Sequence, residues 1–343
     1  MNSHSGLVTL THDTSPEAHR ITTLPVLVFH AHTSCNCRCL MCDIWRTAEH
    51  RSLRPEEMER HLESMRQLGV KWIVFTGGEP LLNPDLAAVC ALLRPLGIRL
   101  TLLTTGLLLK KYSADVANSF DEIILSLDGP ESIHNSIRRV DNAFALIKTG
   151  VAAVKELKPA LRITARTTVQ RSNCFYLRES VAAAKELKLD GISFLAADVQ
   201  SEAFNRPLVW PAERQNEVAL SHSDLPALEA EIQGLIRDCE ADIQLGYIAE
   251  SPIKLYRILA HFRAHLGIEP ARAPICNAPW TSAVIETDGT VRPCFFHPPV
   301  GNIRQMSLEE VVNSNKAVQF RSSLDIESNE ICRRCVCSLN YRS

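Results

Sequence analysis

No stretch of this sequence approaches the roughly 18 apolar residues of a spanning helix. Met1 to Thr23 also lacks the apolar centre of a secretory signal. Both absences point to a soluble, cytosolic protein. An excess of one charge is missing too. The chain has 37 basic and 39 acidic residues, for a net charge of −2. That leaves no electrostatic footprint for nucleic acid or for an anionic membrane surface. The short runs Lys110-Lys111, Arg138-Arg139 and Arg333-Arg334 read as solvated surface. There is no internal repeat and no low-complexity segment. With 45% hydrophobic residues over 343 positions, the chain can bury a sizeable core, as one large domain with a smaller one or as two ordinary ones.

Cysteine is abundant, at twelve residues. In a reducing compartment, clustered thiols mean metal or catalysis more often than disulfides. Cys35, Cys39 and Cys42 form a C-x3-C-x2-C triad on one short stretch. Three thiolates so placed can hold a soft metal or an iron–sulfur cluster. On a [4Fe–4S] cubane they leave one iron without a protein ligand, which is the open position of a reactive site. A structural zinc site or an electron-transfer cluster is the plainer alternative. Cys37, between two ligand positions, reads as a bystander.

Around this stretch the pattern alternates. Leu24 to His32, Trp72 to Thr76, Ile98 to Thr104, Glu122 to Leu127, Leu161 to Val169 and Gly191 to Ala196 are short apolar strands. Helical spacing separates them at Arg54–Leu68, from Asn83 or Pro84 to Leu93, near Tyr112–Asn118, at Ala143–Leu157 and at Phe175–Leu187. Six βα units imply a parallel sheet covered by helices. Six is short of the eight of a closed barrel, so an open partial barrel and a doubly wound sheet both fit. After Asp198 the chain turns irregular over 199–222, then helical at about Asp224–Glu240 and Ile253–Leu266.

Gly77-Gly78-Glu79-Pro80 ends the second strand, on the face where the cysteine loop lies. The glycines permit close backbone approach, and Glu79 can neutralise an ammonium. Together with the triad after the first strand, this pattern resembles the radical S-adenosylmethionine (SAM) superfamily. Asn36 after the first cysteine and Ser126-Leu127-Asp128-Gly129-Pro130 add to the resemblance. It implies a partial (β/α)6 TIM-like barrel. It implies that Cys35, Cys39 and Cys42 hold a [4Fe–4S] cluster whose open iron is chelated by SAM. Gly77, Gly78 and Glu79 would bind the SAM amino group, Met41 would pack near the adenine, and Ser126 would lie near the ribose or carboxylate. The implied chemistry is reductive cleavage of SAM to a 5′-deoxyadenosyl radical that abstracts a hydrogen atom from substrate. The chain departs from its relatives at Asn135, where many have Asp, at Arg139, where they have Gly, and at Thr105, where they have Asn.

A second cysteine set comprises Cys276, Cys294, Cys332, Cys335 and Cys337. Asp288-Gly289 is a hairpin signal that brings the first two together. A zinc ribbon is one reading of this set. With Pro279-Trp280 and Gly301-Asn302, the pattern also resembles the SPASM/twitch domain of radical SAM enzymes. Full SPASM domains carry about seven cysteines for two clusters. Five cysteines, the last of them six residues from the end, imply the shorter form with one auxiliary [4Fe–4S] cluster. Cys276, Cys294, Cys332 and Cys335 are the expected ligands, with Cys337 the alternative to Cys332 or Cys335.

The expected organisation is a flexible lead-in over 1–22, a radical SAM barrel over 23–198, a linker and helical segment over 199–272, and a small cysteine-rich SPASM/twitch domain over 273–343. Peptide-modifying members often carry a leader-binding domain of about 80 residues, at the small end of domain sizes. Only 34 residues precede Cys35, so the expectation leans to a small-molecule substrate and a dehydrogenase-type oxidation. A peptide maturase and a non-catalytic iron–sulfur or zinc protein are the alternatives. The implied electron donor is flavodoxin or ferredoxin. Asp198, ending the sixth strand, is a candidate base. Arg166, Tyr247 and Glu250 are further substrate candidates, and His30 and His32 suit core or supporting roles.

Overall fold

A computed structural model describes residues 16–337 and 339–342. Strands β1 (Val26–His32), β2 (Trp72–Gly77), β3 (Arg99–Thr104), β4 (Glu122–Ser126), β5 (Arg162–Val169) and β6 (Ile192–Ala196) lie side by side in chain order, and each neighbouring pair is parallel. A doubly wound sheet reverses its strand order at a switch point. This sheet does not, and it is the partial barrel of the two architectures. The helices between the strands are α1 (Pro55–Glu59), α2 (Leu62–Gln67), α3 (Leu86–Leu93), α4 (Ser113–Ser119), α5 (Glu131–Arg138), α6 (Ala143–Leu157) and α7 (Leu177–Glu186). After β6 come α8 (Ala212–Val218), α9 (Leu225–Asp238), α10 (Glu240–Gln244) and α11 (Pro252–His265).

Period-two alternation assigns the faces. Leu27, Phe29, Ile73, Phe75, Leu100, Leu102, Ile123 and Leu125 are fully buried toward the helices. Phe29, Phe75 and Phe120 meet there with ring centroids about 6 Å apart. Each such side chain stabilises the fold by ~2–3 kcal/mol. The opposite face carries Val28, Val74, Leu103, Ile124, Arg166 and Ser193 and borders a cavity.

The C-terminal segment continues this sheet. Strand β7 (Ser282–Ile285) pairs parallel with β1, Val26 opposite Ser282 and Phe29 opposite Ile285. It covers an edge that would otherwise leave β1 unpaired. β8 (Thr290–Arg292) and β9 (Gly301–Asn302) follow antiparallel. The turn at Asp288-Gly289, with Gly289 at φ +85°, makes the expected hairpin. Helices α12 (Ala278–Thr281), α13 (Leu308–Val312), α14 (Asn315–Ser323) and α15 (Glu330–Arg333) complete the segment.

Four expectations change. The helix expected over 54–68 is broken, because His61 leaves helical geometry (φ −110°) and its buried ring bonds the Ile303 backbone. Helix α5 was not anticipated, and the region 199–222 contains α8. The lead-in is not loose over 16–22. Ile21 exchanges two 2.9 Å hydrogen bonds with the Asn313 amide, and Arg321 Nε donates to His19 O at 2.7 Å. The rest of that lead-in, 1–15, lies outside the described residues. No helix among the described residues is long and apolar enough to cross a membrane.

Candidate active site

The cysteine loop leaves the carboxyl end of β1 and is gripped from two sides. On one side, Arg38 N donates to Arg138 O (3.1 Å) and Leu40 N to Ile137 O (3.2 Å). Helix ends leave their last carbonyls unpaired, and here α5 spends two of them on the loop. Arg139 ends α5 in the left-handed region, at φ 56° and ψ 46°. Glycine reaches that conformation without a Cβ penalty, so a side chain there carries strain.

Arg138 corrects the reading of Arg138-Arg139 as solvated surface. Its side chain is 9% exposed and paired at 2.6 Å with Asp128, which is fully buried. Its Nη1 donates to Cys39 Sγ at 3.4 Å. Burial works to lower the Arg138 pKa, but Asp128 and the adjacent thiols raise it, so the guanidinium stays charged.

On the other side, the segment after β6 closes over the loop. Arg206 Nη2 donates to Met41 O (3.1 Å), Asp43 N to Phe204 O (3.3 Å) and Trp210 Nε1 to Asp43 Oδ2 (2.6 Å), while Arg214 reaches Leu40 O. The Arg206 guanidinium stacks on Trp210, 3.9 Å from the ring centroid. Asp198, the candidate base, is paired with this buried arginine at 2.6 Å and accepts from Ser201. It therefore anchors the closing segment.

The two glycines have a specific reason. A Cβ on Gly78 would stand 2.0 Å from Ser34 O, and one on Gly77 2.6 Å from His32 O, with Gly77 at φ +125°. Only glycine lets the end of β2 lie against the cysteine loop, where Gly78 N and Glu79 N donate to His32 O (2.9 Å) and Ser34 O (2.8 Å). Glu79 is fully buried. Its carboxylate accepts from Thr104 Oγ1 (2.7 Å), Thr105 N (2.7 Å), Thr105 Oγ1 (2.8 Å) and Leu81 N (3.1 Å). Burial raises its pKa against these donors. The carboxylate thus welds the β2 and β3 loops together. Thr105, at the position of the family's asparagine, also contacts the Asn36 side chain at 3.0 Å. Met41 is half-buried, with its sulfur 3.6 Å from Gln170 Nε2. Ser126 ends β4 opposite Arg166.

Cys37 is buried, and its thiol is held protonated, first by its hydrogen bond to Cys35 and then by its bond to Cys39. The bond from Cys37, with help from Arg138, lowers Cys39. Burial pushes Cys42 up to about 12. Buried Asn36 Nδ2, Arg138 Nε and Gln170 Oε1 lack partners. The two unspent donors, Asn36 Nδ2 and Arg138 Nε, fit an anionic cluster, and the unspent acceptor Gln170 Oε1 fits a polar ligand. Among the described residues no three His, Cys, Asp or Glu side chains converge tightly enough for a single ion. Ligands on different irons of a cubane stand further apart.

Cys276, Cys294, Cys332, Cys335 and Cys337 all border one cavity of about 1160 Å³. His297 Nε2 lies 3.2 Å from Cys332 Sγ, and Arg257 Nη2 3.5 Å from Cys335 O. Burial pushes Cys294 up to about 12 and Cys332 to about 11. Cys337 is lowered, first by its hydrogen bond with Cys335, while burial raises it, the Arg166 charge lowers it and the Asp198 charge raises it. The same cavity reaches the inner face of the barrel and α11, where Lys254, Arg257 and His261 line it. Glu250 lines it as well, driven up to about 7 by burial, with its carboxylate on Phe194 N (2.8 Å). Tyr247 does not line it, and its ring lies under Lys185. His30 stacks on Phe295, and His32 bonds Ser52, both in supporting positions. Arg206, Trp210 and Gln170 carried no sequence motif. Arg138 was hidden in what looked like an ordinary basic pair.

A cysteine triad at the mouth of a partial barrel, with a second thiol set beside the same interior, fits an iron–sulfur protein. Residues 31–194 match the family model for the Radical SAM superfamily, and residues 276–336 match that of SPASM, an iron-sulfur cluster-binding domain. The chain carries a Radical SAM domain followed by a SPASM domain. The first implies a [4Fe–4S] cluster with SAM, and the second an auxiliary iron–sulfur site. Among relatives, the chain is 32% identical over 130 residues to a probable GTP 3′,8-cyclase of Thermococcus kodakarensis, covering 36% of this chain and 42% of that protein. It spans less than half the length of this and the next two curated relatives. It is 23% identical to the Fe-coproporphyrin III synthase of Methanosarcina barkeri over 93% of this chain and 83% of that one. Streptococcus suis SuiB bound to S-adenosylmethionine superposes with a TM-score of 0.64 at 17% identity, over 94% of this chain and 75% of that one. At that identity the likeness is one of fold.

Proposed function

We propose that this chain takes a hydrogen atom from a small, carboxylate-bearing molecule held between the inner face of the barrel and the auxiliary cysteines. Arg166 carries this reading. It sits within a parallel strand and lines the cavity, and among the described residues it has no carboxylate within salt-bridge distance. Its Nε donates to Ser193 Oγ (3.4 Å) and it acts on Glu250 only through space, so the guanidinium is free to take an anion from outside the chain. Lys254 and Arg257 add positive charge from α11, and Val28, Val74, Leu103 and Ile124 form an apolar wall. The match to the Fe-coproporphyrin III synthase over most of both chains supports a small molecule.

When bound and reduced by one electron, the cluster and SAM together supply the radical that abstracts hydrogen. Cys35, Cys39 and Cys42 would hold that cluster, with SAM bound beside it. Glu79 keeps the Gly77-Gly78 backbone in place to receive the SAM amino group. Met41 takes the adenine side, and Ser126 the ribose or carboxylate. Asp198, Arg206 and Trp210 close the loop and keep water out. Cys276, Cys294, Cys332 and Cys335 hold one auxiliary [4Fe–4S] cluster, with Cys337 the alternative to Cys332 or Cys335. Its place beside the cavity supports a dehydrogenase-type oxidation. Flavodoxin or ferredoxin in the cytoplasm is the electron source.

One observation favours a peptide substrate instead: exposed Ile253 and Ile331 border the cavity. SuiB has been solved with its precursor peptide SuiA, at a TM-score of 0.63 and 18% identity over 94% of this chain and 73% of that one.

The test uses anaerobically loaded protein with SAM and dithionite, and measures 5′-deoxyadenosine while cell extract is added. The stimulating component is expected to pass a low-mass filter, to resist protease and to bind an anion exchanger. Arg166→Met should lose the stimulation and keep the basal cleavage. Stimulation destroyed by protease would sink the small-molecule reading in favour of the peptide.

A further inference from the structure

One buried ion pair beside the cysteine loop calls for an explanation beyond folding. Asp128 and Arg138 lie 2.6 Å apart, with side chains 0% and 9% exposed. Two charges taken out of water often cost more than their attraction returns, and apolar residues of similar volume would serve the fold as well. The position of the pair supplies the reason. Arg138 uses Nη2 on Asp128 and Nη1 on Cys39 Sγ, while its own carbonyl accepts Arg38 N from the same loop. The guanidinium is held at both ends and cannot swing away from the thiol.

Asp128 is fixed as firmly. Its Oδ1 accepts Thr168 N (3.0 Å), its carbonyl accepts Asn173 Nδ2 (3.0 Å), and its N–H donates to His134 Nδ1 (3.1 Å). Burial drives His134 down to about 3, so that ring adds no charge. The field at Cys39 from this side is therefore a fixed cation backed by a fixed anion.

We propose that Arg138 and Asp128 act as a positioning pair that sets the reduction potential of the cluster bound through Cys39. Reduction adds one electron, from dithionite in the test below, to a centre whose thiolate ligands are already negative. An N–H donor with positive charge at a ligand sulfur stabilises the reduced form, and a carboxylate behind it moderates that effect. The two residues thus pull the potential in opposite directions. The inference rests on the assignment of Cys35, Cys39 and Cys42 to the SAM cluster.

The test is a redox titration of the full reconstituted chain, followed by electron paramagnetic resonance on the reduced signal that SAM perturbs. Arg138→Gln is expected to shift the midpoint to more negative potential. Arg138→Lys, which keeps the charge, should stay closer to the parent. Asp128→Asn should shift it to more positive potential. A merely structural role would move Gln and Lys variants alike and would give no opposed sign. The inference is overturned if Arg138→Gln does not shift, if Lys matches Gln, or if Asp128→Asn moves the same way as Arg138→Gln. Should Asp128→Asn fail to load, the Lys–Gln contrast decides alone. A parent chain without a SAM-perturbed signal sinks the cluster assignment and this inference with it. A normal parent signal with unshifted variants sinks the inference only.

Discussion

The Glu79 carboxylate takes two hydrogen bonds from Thr105, one from the backbone N–H at 2.7 Å and one from the hydroxyl at 2.8 Å. This one residue ties the GGEP turn to the loop after β3, and its side chain also touches Asn36. Thr105→Val removes the hydroxyl at nearly constant shape and leaves the backbone bond. The expected loss is ~1.5–3 kcal/mol, as for a hydrogen bond to a charged acceptor. Denaturant unfolding of the metal-free chain measures it.

Arg139 occupies a conformation that suits glycine. Arg139→Gly should stabilise the chain, because a left-handed non-glycine residue costs ~1–2 kcal/mol, and glycine's extra freedom in the unfolded chain returns part of that. The net gain expected is ~0.5–1 kcal/mol, read as a rise in denaturation midpoint. A loss of stability would show that the Arg139 side chain makes a contact of greater worth.

Gly78 and Gly69 make a matched pair for a test of close approach. A Cβ at Gly78 meets Ser34 O at 2.0 Å, whereas Gly69, at φ +61°, has nothing within 4 Å. Gly78→Ala must push the cysteine loop away, and iron content after reconstitution should fall sharply. Gly69→Ala carries only backbone strain of ~1 kcal/mol and should load normally. Equal loading of the two variants would contradict the packing argument.

Asp198 and Arg206 form a buried pair, so removing one partner strands the other. Arg206→Met should cost ~3–5 kcal/mol. Asp198→Asn combined with Arg206→Met should cost less than the sum of the two single changes. A double-mutant cycle on unfolding free energies gives the coupling. Additivity within error would mean that Asp198 is free for another role.

Glu250 gives a pH signature. Its folded pKa is raised from 4.5 to about 7, with burial the first cause. Between those values the folded chain binds more protons than the unfolded one, so stability falls as pH rises through the window. The effect is absent below the unfolded value and complete above the folded one, and amounts to ~3 kcal/mol at most. Glu250→Gln should flatten this slope and gain more over the parent at pH ~8 than at pH ~5. An unchanged slope would place the titration elsewhere.

Much of the architecture was legible because its signals are local. Apolar runs such as Trp72–Thr76 and Ile98–Thr104 mark buried parallel strands, and Asp288-Gly289 marks a hairpin. The breaks were less legible. His61 ends a helix early for a hydrogen bond to Ile303, a partner far along the chain, and α5 follows Pro130 with only two apolar residues, Ile133 and Ile137, to mark it. Arg138 looked like half of a surface pair, because nothing nearby in the sequence says that Asp128 turns toward it.

The sequence by itself determined the chemistry available: a three-thiol loop, a GGEP turn, a second thiol set, and strands that must lie in a covered parallel sheet. These follow from residue type and spacing, which act over a few positions. Only the tertiary structure decided how those parts are held and what they face. It placed Glu79, read from the sequence as a partner for an ammonium, in a buried weld, and Asp198, a candidate base, in an ion pair. It joined the C-terminal segment to β1 as a continuation of one sheet, and it brought Arg138 to Cys39. Such contacts join residues from 8 positions apart, as in Asp198 and Arg206, to 99, as in Cys39 and Arg138, and beyond, and they are set by which buried charges and hydrogen-bonding groups find partners once the chain has closed.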